Sequence, residues 1–210
     1  MHVLDNGWLE FDVPHGVEPT QTALKILGER NGLWHGPREV LTTRAIHEAR
    51  PNSLSRIHGL DEQPPHTDGA HEAKPPAFIL LWADQAADGH AYTHLRMFDP
   101  SKLSADFSDQ FSRAVWSVRV SSSKFFYRRA FHPDTRTIRW DSGCFVRCTS
   151  TSLTPAIVDH ALKELPEVRI TWAASKALLI DNRRVLHGRS RADTAVNSSR
   201  RIKRVLFYDN

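Results

Sequence analysis

Apolar positions along the 210-residue chain fall into two rhythms. Spacings of three and four, which gather side chains on one face of a helix, occur in only a few places. Thr20 to Arg30 carries Ala23, Leu24, Ile26 and Leu27, then stops at Asn31-Gly32. Ser104 can cap a segment bearing Phe107, Phe111, Ala114 and Val115. Thr154-Pro155 opens a third helix, with Ile157, Ala161 and Leu165 on one face and Pro166 as its stop. The rest reads as short strands broken by turns, at 77–82, 91–98, 116–120, 124–131, 136–140, 144–148, 168–172, 177–180, 184–189 and 201–208. His132-Pro133-Asp134 and Asp181-Asn182 are read as hairpin turns between them. Many short strands with a few peripheral helices predict a mainly β sandwich or barrel. A strand, glycine loop and helix in succession is missing, which argues against a Rossmann or P-loop nucleotide site.

Composition adds bounds rather than identity. The chain is 40% hydrophobic and 25% charged, as a globular protein is, and it is long enough for one domain over 1–210. A core of this size needs neither a disulfide nor a metal merely to fold. The longest apolar run, Ala77 to Ala83, is far short of a membrane span, and Met1-His2-Val3-Leu4-Asp5 does not open a secretory signal. The expectation is a cytoplasmic protein without a membrane partner. Cys144 and Cys148, on one strand, would stand about 13 Å apart, too far for a disulfide, so both are read as structural thiols. The net charge of +4 permits nucleic-acid binding without demanding it. The excess gathers at Arg183, Arg184, Arg189, Arg191, Arg200, Arg201, Lys203 and Arg204, either a solvated strand pair or an anion site.

Twelve histidines make metal ligation the chemistry to examine. The His-x-Asp/Glu triplets are His66-Thr67-Asp68 and His132-Pro133-Asp134, and such triplets arise by chance at this composition. The second has proline at its centre and turn residues around it, so it is read as a hairpin cap. On an extended strand His66 and Asp68 would share a face and could grip one ion. A catalytic transition metal needs a third ligand. Two histidines and one carboxylate on one face of iron(II) leave open positions for a cosubstrate and O2. His187 is the candidate, in Arg183-Arg184-Val185-Leu186-His187-Gly188-Arg189, a strand returning after the buried Ala177-Leu178-Leu179-Ile180. Gly188 would let the backbone approach a bound group closely.

His66-Thr67-Asp68, Asn182-Arg183-Arg184-Val185-Leu186-His187-Gly188-Arg189 and Arg200-Arg201-Ile202-Lys203-Arg204 together resemble a known family. It is the iron(II)/2-oxoglutarate-dependent dioxygenases of the taurine dioxygenase superfamily, most similarly the clavaminate synthase, arginine hydroxylase and γ-butyrobetaine hydroxylase branches. The resemblance covers roughly 55–208 and implies a double-stranded β-helix (jelly-roll) core there, with N-terminal helix and strand elements in 1–54. It implies that His66, Asp68 and His187 bind iron(II), the catalytic metal. Arg200 would pair with the distal carboxylate of 2-oxoglutarate, whose geometry suits a guanidinium fork. Thr93 would assist in that binding, and Arg204 fits the family's second arginine. Arg200, Ile202 and Arg204 share one face of a strand, Arg201 and Lys203 the other. The loop after His187 is one residue shorter than in the nearest relatives, which makes Arg201 a rival anchor. Ser175-Lys176 stands where they carry Gly-Asp.

The activity so implied is oxidation, chiefly hydroxylation, of a small polar molecule of amino-acid type, releasing succinate and CO2. Alternatives from other classes are a cupin-like metal enzyme without 2-oxoglutarate and a basic nucleic-acid-binding module. Arg189 is expected to make structural hydrogen bonds, and Trp82, Trp116, Trp140 and Trp172 to form core or pocket wall.

Overall fold

A computed structural model describes residues 4–14, 16–28, 32–42, 45–49, 54–83, 91–150, 152–192 and 201–209. In chain order the elements begin with β1 (Trp8–Asp12), α1 (Pro19–Leu27), β2 (Trp34–His35), β3 (Glu39–Thr42), α2 (Leu54–His58) and β4 (Gln63–His66). They continue with β5 (Phe78–Ala83), β6 (Thr93–Met97), α3 (Ala105–Arg113), β7 (Val115–Arg119), β8 (Phe125–Arg129), β9 (Phe131–His132) and β10 (Thr137–Ile138). The last are β11 (Phe145–Cys148), α4 (Pro155–Lys163), β12 (Val168–Ile170), β13 (Lys176–Asp181), β14 (Val185–Arg189) and β15 (Arg201–Tyr208).

Two antiparallel sheets form the core. The larger runs β1-β13-β5-β15-β2, with β3 also on β15; the smaller runs β12-β6-β14-β4. Ile79, Leu81, Leu178, Ile180 and Ile202 of the first interlock with Leu95, Ile170 and Val185 of the second. Burying such a side chain contributes about 1.5–3 kcal/mol, so this layer is the main clamp between sheets. Alternation along β5, β13 and β15 sends Phe78, Leu80, Leu179, Val205 and Phe207 to the outer face, where Ala23 and Leu27 of α1 cover them. Both faces are therefore apolar, which explains why these strands read as nearly continuous hydrophobic runs. A segment containing β7, β8, β11, α3 and α4 packs Trp116, Trp140, Phe111 and Phe145 against Phe98 and Leu186 behind the smaller sheet. This is the mainly β sandwich expected from the strand pattern, and the jelly-roll class that the family resemblance implied.

The three expected helices form, and Ser104 and Thr154 cap theirs by accepting from Phe107 N (3.3 Å) and Ile157 N (3.3 Å). The candidate strand 136–140 shrinks to β10, which pairs with β9 around the His132-Pro133-Asp134 hairpin. Asp181-Asn182 is a turn but not a hairpin: β13 and β14 on either side of it belong to different sheets. Both strands are buried almost throughout, so the chain gains more by crossing the sandwich than by pairing them. Ser175 takes a left-handed φ of 64° before β13, the conformation glycine adopts without strain. Trp82, Trp116, Trp140 and Trp172 are all buried, and Cys144 and Cys148 are unbridged. Among the described residues no helix is long and apolar enough to cross a membrane.

Candidate metal centre

His66 ends β4, an edge strand whose Pro64 and Pro65 are tolerated because an edge leaves some backbone N–H groups unused in pairing. It stands opposite His187 of β14 in the ladder, so cross-strand pairing brings the imidazoles together at 4.5 Å between centroids. Asp68 lies past the strand end, in a turn, not on the extended strand foreseen for the pair. Its position is set from another element. Asn182 Oδ1 accepts from Asp68 N (2.9 Å), while Asn182 Nδ2 donates to the carbonyls of Asp68 (3.0 Å) and Pro76 (2.8 Å). Gly69 completes the turn at φ 66°, and a Cβ there would stand 2.5 Å from Pro76 Cδ.

The result is a convergent set. Asp68 Oδ1 is 3.9 Å from His66 Nε2 and 3.8 Å from His187 Nε2, and the three ligand atoms lie within 4.8 Å of one another. Donors about 2.1 Å from a common ion and mutually perpendicular stand about 3 Å apart, so a modest contraction closes this set on a metal. His66 Nδ1 lies 2.9 Å from the Pro64 carbonyl. Donating there holds the tautomer whose Nε2 lone pair faces the group, the usual outer-shell arrangement for a metal-bound histidine. His187 Nδ1 is buried with no hydrogen-bond partner among the described residues. The donor set fits iron(II).

Charge is arranged to the same end. Burial and the adjacent His187 push His66 down to about 3, against the smaller opposing pull of Asp68, so the imidazole is neutral at ordinary pH. Burial alone would raise Asp68, but Arg204 and the two histidines hold its carboxyl well below the usual range. Arg204 Nη1 donates to Asp68 Oδ2 at 2.9 Å.

The triad opens on a cavity of about 930 Å³, also lined by Thr93, Arg204, Tyr208, Glu72 and Asp141. Thr93 Oγ1 accepts from Trp172 Nε1 at 3.0 Å. On β15 it is Ile202, Arg204, Leu206 and Tyr208 that face the cavity. Arg201 is exposed on the opposite face, so the rival anchor points away from it. Arg200 lies outside the described residues. Arg189 is buried and donates to the carbonyls of Gly59 (2.7 Å) and Asp61 (3.0 Å), the structural role expected of it. Gly188 lines the cavity, and its lack of a side chain is also required by the protein's own packing. A Cβ there would meet the His94 ring at 2.3 Å and the Gln63 carbonyl at 2.5 Å, so its bareness admits protein.

Sequence reasoning missed four contributors. Asn182 was visible only as part of a motif, with no sign that its amide reaches 114 residues back to Asp68. Glu39, Glu72 and Asp141 carry no local signal at all. Asp141 is held beside the ligand segment because Trp140, just before it, exchanges hydrogen bonds with Thr67 (2.7 and 3.0 Å). Burial pushes the Asp141 carboxyl up to about 6 and raises Glu72 as well.

No protein-family model and no curated protein matches the sequence. Solved structures do. The non-heme iron oxygenase OrfP in complex with Fe and alpha-ketoglutaric acid superposes with a TM-score of 0.60 at 18% identity, over 82% of this chain and 56% of that one. A mutant of OrfP in complex with (3S)-hydroxy-L-Arg gives 0.59 at 18% identity, over the same shares. Asparagine oxygenase in complex with Fe(II), 2S,3S-3-hydroxyasparagine and succinate gives 0.57 at 17% identity, over 72% of this chain and 51% of that one. The chain spans about half the length of the solved structures it matches. With its two facing sheets and its histidines paired across β4 and β14, the chain has the jelly-roll fold of the non-heme iron oxygenases.

Proposed function

We propose that this protein is an iron(II)/2-oxoglutarate-dependent oxygenase that hydroxylates a small polar substrate of amino-acid type, releasing succinate and CO2. The observation that carries the reading is the convergence of His66, Asp68 and His187 at the wall of a substrate-sized cavity. Iron(II) there, with 2-oxoglutarate bound, would supply the activation of O2 that a C–H bond requires. The chain's own residues do the rest. His66 offers a neutral imidazole nitrogen and His187 a second ring nitrogen, Asp68 offers one anionic oxygen, and Asn182 fixes the backbone that carries it. We assign Arg200 as the anchor of the distal cosubstrate carboxylate, with Thr93 and Arg204 contributing. Glu72 and Asp141 form no ion pair with a described cation, which favours a substrate with a cationic end such as an ammonium group. We read 55–208 as the catalytic core and 1–54 as N-terminal elements of the same domain. Two unbridged thiols accord with a cytoplasmic setting.

The test is to titrate 2-oxoglutarate anaerobically into the iron-loaded protein and follow the charge-transfer absorption. Charge-assisted hydrogen bonds contribute about 1.5–3 kcal/mol each, so Arg200→Ala raises the requirement by about two orders of magnitude while iron still binds. Arg200→Lys recovers part of the loss, since an ammonium lacks the fork. A wild-type protein that binds iron but gives no such band points to the cupin-like alternative. Steeply salt-dependent nucleic-acid binding without iron-dependent oxidation points to the basic module.

A further inference from the structure

Arg204 is committed at three nitrogens to two carboxylates. Its Nε and Nη2 both donate to Glu39 Oε2, at 2.9 and 2.5 Å, and its Nη1 donates to Asp68 Oδ2 at 2.9 Å. Glu39 and Arg204 are direct register partners across β3 and β15, so the contact is built into the ladder. Asp68 thereby has one oxygen tied to the protein, while the other, Oδ1, faces both imidazoles. We propose that Glu39 and Arg204 form a positioning relay for the metal site: Glu39 orients the guanidinium, which turns the Asp68 carboxylate so that it presents Oδ1 alone to the ion. This rests on the reading of His66, Asp68 and His187 as metal ligands.

The physical case has two parts. An arginine beside a ligand carboxylate competes with the metal for that carboxylate. A second carboxylate on the far side of the guanidinium shares its charge and draws it back, so direction is kept while competition weakens. The side chain is also long and rotamer-rich, and holding it at both ends removes freedom before the metal arrives. The remaining guanidinium N–H groups stay available to an incoming carboxylate, so the relay does not preclude a contact with cosubstrate. Glu39 is a positioning residue and needs no contact with substrate.

The experiment titrates cobalt(II) into the full chain without cosubstrate, reading affinity by calorimetry and coordination by the ligand-field absorption of the bound ion. Wild type takes up one equivalent. Outer-shell partners of metal ligands are worth about 10- to 100-fold in affinity, and Glu39→Ala loses that much, with a changed ligand-field band. Glu39→Gln, which keeps an acceptor but not the charge, falls between. Arg204→Lys weakens binding as Glu39→Ala does, because an ammonium cannot span both carboxylates. Urea unfolding of the metal-free variants separates this from loss of fold; if Glu39→Ala does not fold, Glu39→Gln decides. Wild-type affinity and band shape in a folded Glu39 variant overturn the relay and leave the metal site standing. Failure of wild type to bind the ion overturns both.

Discussion

Replacing Asn182 tests how Asp68 is placed. The amide is buried at 2% exposure and satisfies three backbone groups: Asp68 N, Asp68 O and Pro76 O. In Asn182→Ala all three lose that partner. An orphaned buried donor or acceptor costs about 1–3 kcal/mol. The three share one side chain and do not add fully, so the expected loss is about 3–5 kcal/mol. That is a large part of the roughly 5–15 kcal/mol that holds a domain folded, yet it leaves a folded population to study. Asn182→Asp is the sharper probe. It has the same shape and keeps an acceptor for Asp68 N, but it turns an oxygen toward the two carbonyls that Nδ2 served. It is destabilised at least as much as the alanine variant at neutral pH, where a neutral isostere would have been harmless. Denaturant unfolding measures the cost as a shifted midpoint at constant slope, and cobalt(II) titration of the folded variant shows weakened binding. A loss below about 1 kcal/mol for both variants, with unchanged metal affinity, would refute the clamp.

Other outcomes follow from the same geometry. Asp68→Ala abolishes stoichiometric iron binding while circular dichroism stays native-like, because the sandwich core does not depend on the ion; retained binding removes Asp68 from the site. Folded His66 sits at about 3 and the ordinary imidazole at 6.5, so between these values the unfolded chain binds more protons and stability falls as pH drops. His66→Gln reduces that slope in the metal-free protein, and an unchanged slope in denaturant melts contradicts the assignment. Asp141 has the opposite sign. Its folded value of about 6 exceeds the ordinary 3.8, so stability is lost as pH rises through that window and stays lost at neutral pH. Asp141→Asn accordingly gains about 1–3 kcal/mol at neutral pH and little below pH 3.8, and a neutral-pH loss would overturn this account.

Local chemistry was legible where it was strong. Pro155 after Thr154 and the capping Ser104 marked helix starts, because those residues satisfy or remove helix-end N–H groups wherever they occur. Runs such as Leu178-Leu179-Ile180 marked central strands, since a strand buried on both faces must be apolar at every position. Strand β4 was illegible for the converse reason. Gln63-Pro64-Pro65-His66 has poor strand propensity; its prolines hold it extended, but it joins a sheet only because β14 pairs with it at the edge. Strands β1 and β3 are likewise short and mixed in polarity, and they exist because β13 and β15 offer open edges. The Asp181-Asn182 turn was placed correctly, but the sheet it leads to is a matter of packing.

By itself the sequence determined the class of fold, the helix starts and the residue types capable of holding iron, since propensity, capping and ligand chemistry are properties of a few neighbouring residues. Helix α1 ends at Leu27 rather than at Asn31-Gly32, and Val115 opens a strand instead of closing α3. Only the tertiary structure decided that His66 and His187 meet across a ladder, that Asp68 is carried to them by an amide from a distant turn, and that Arg201 faces away. It also decided that Glu39, Glu72 and Asp141 share the cavity. These are long-range juxtapositions, and their energies arise from burial and from hydrogen bonds that exist only once both sheets have closed on each other.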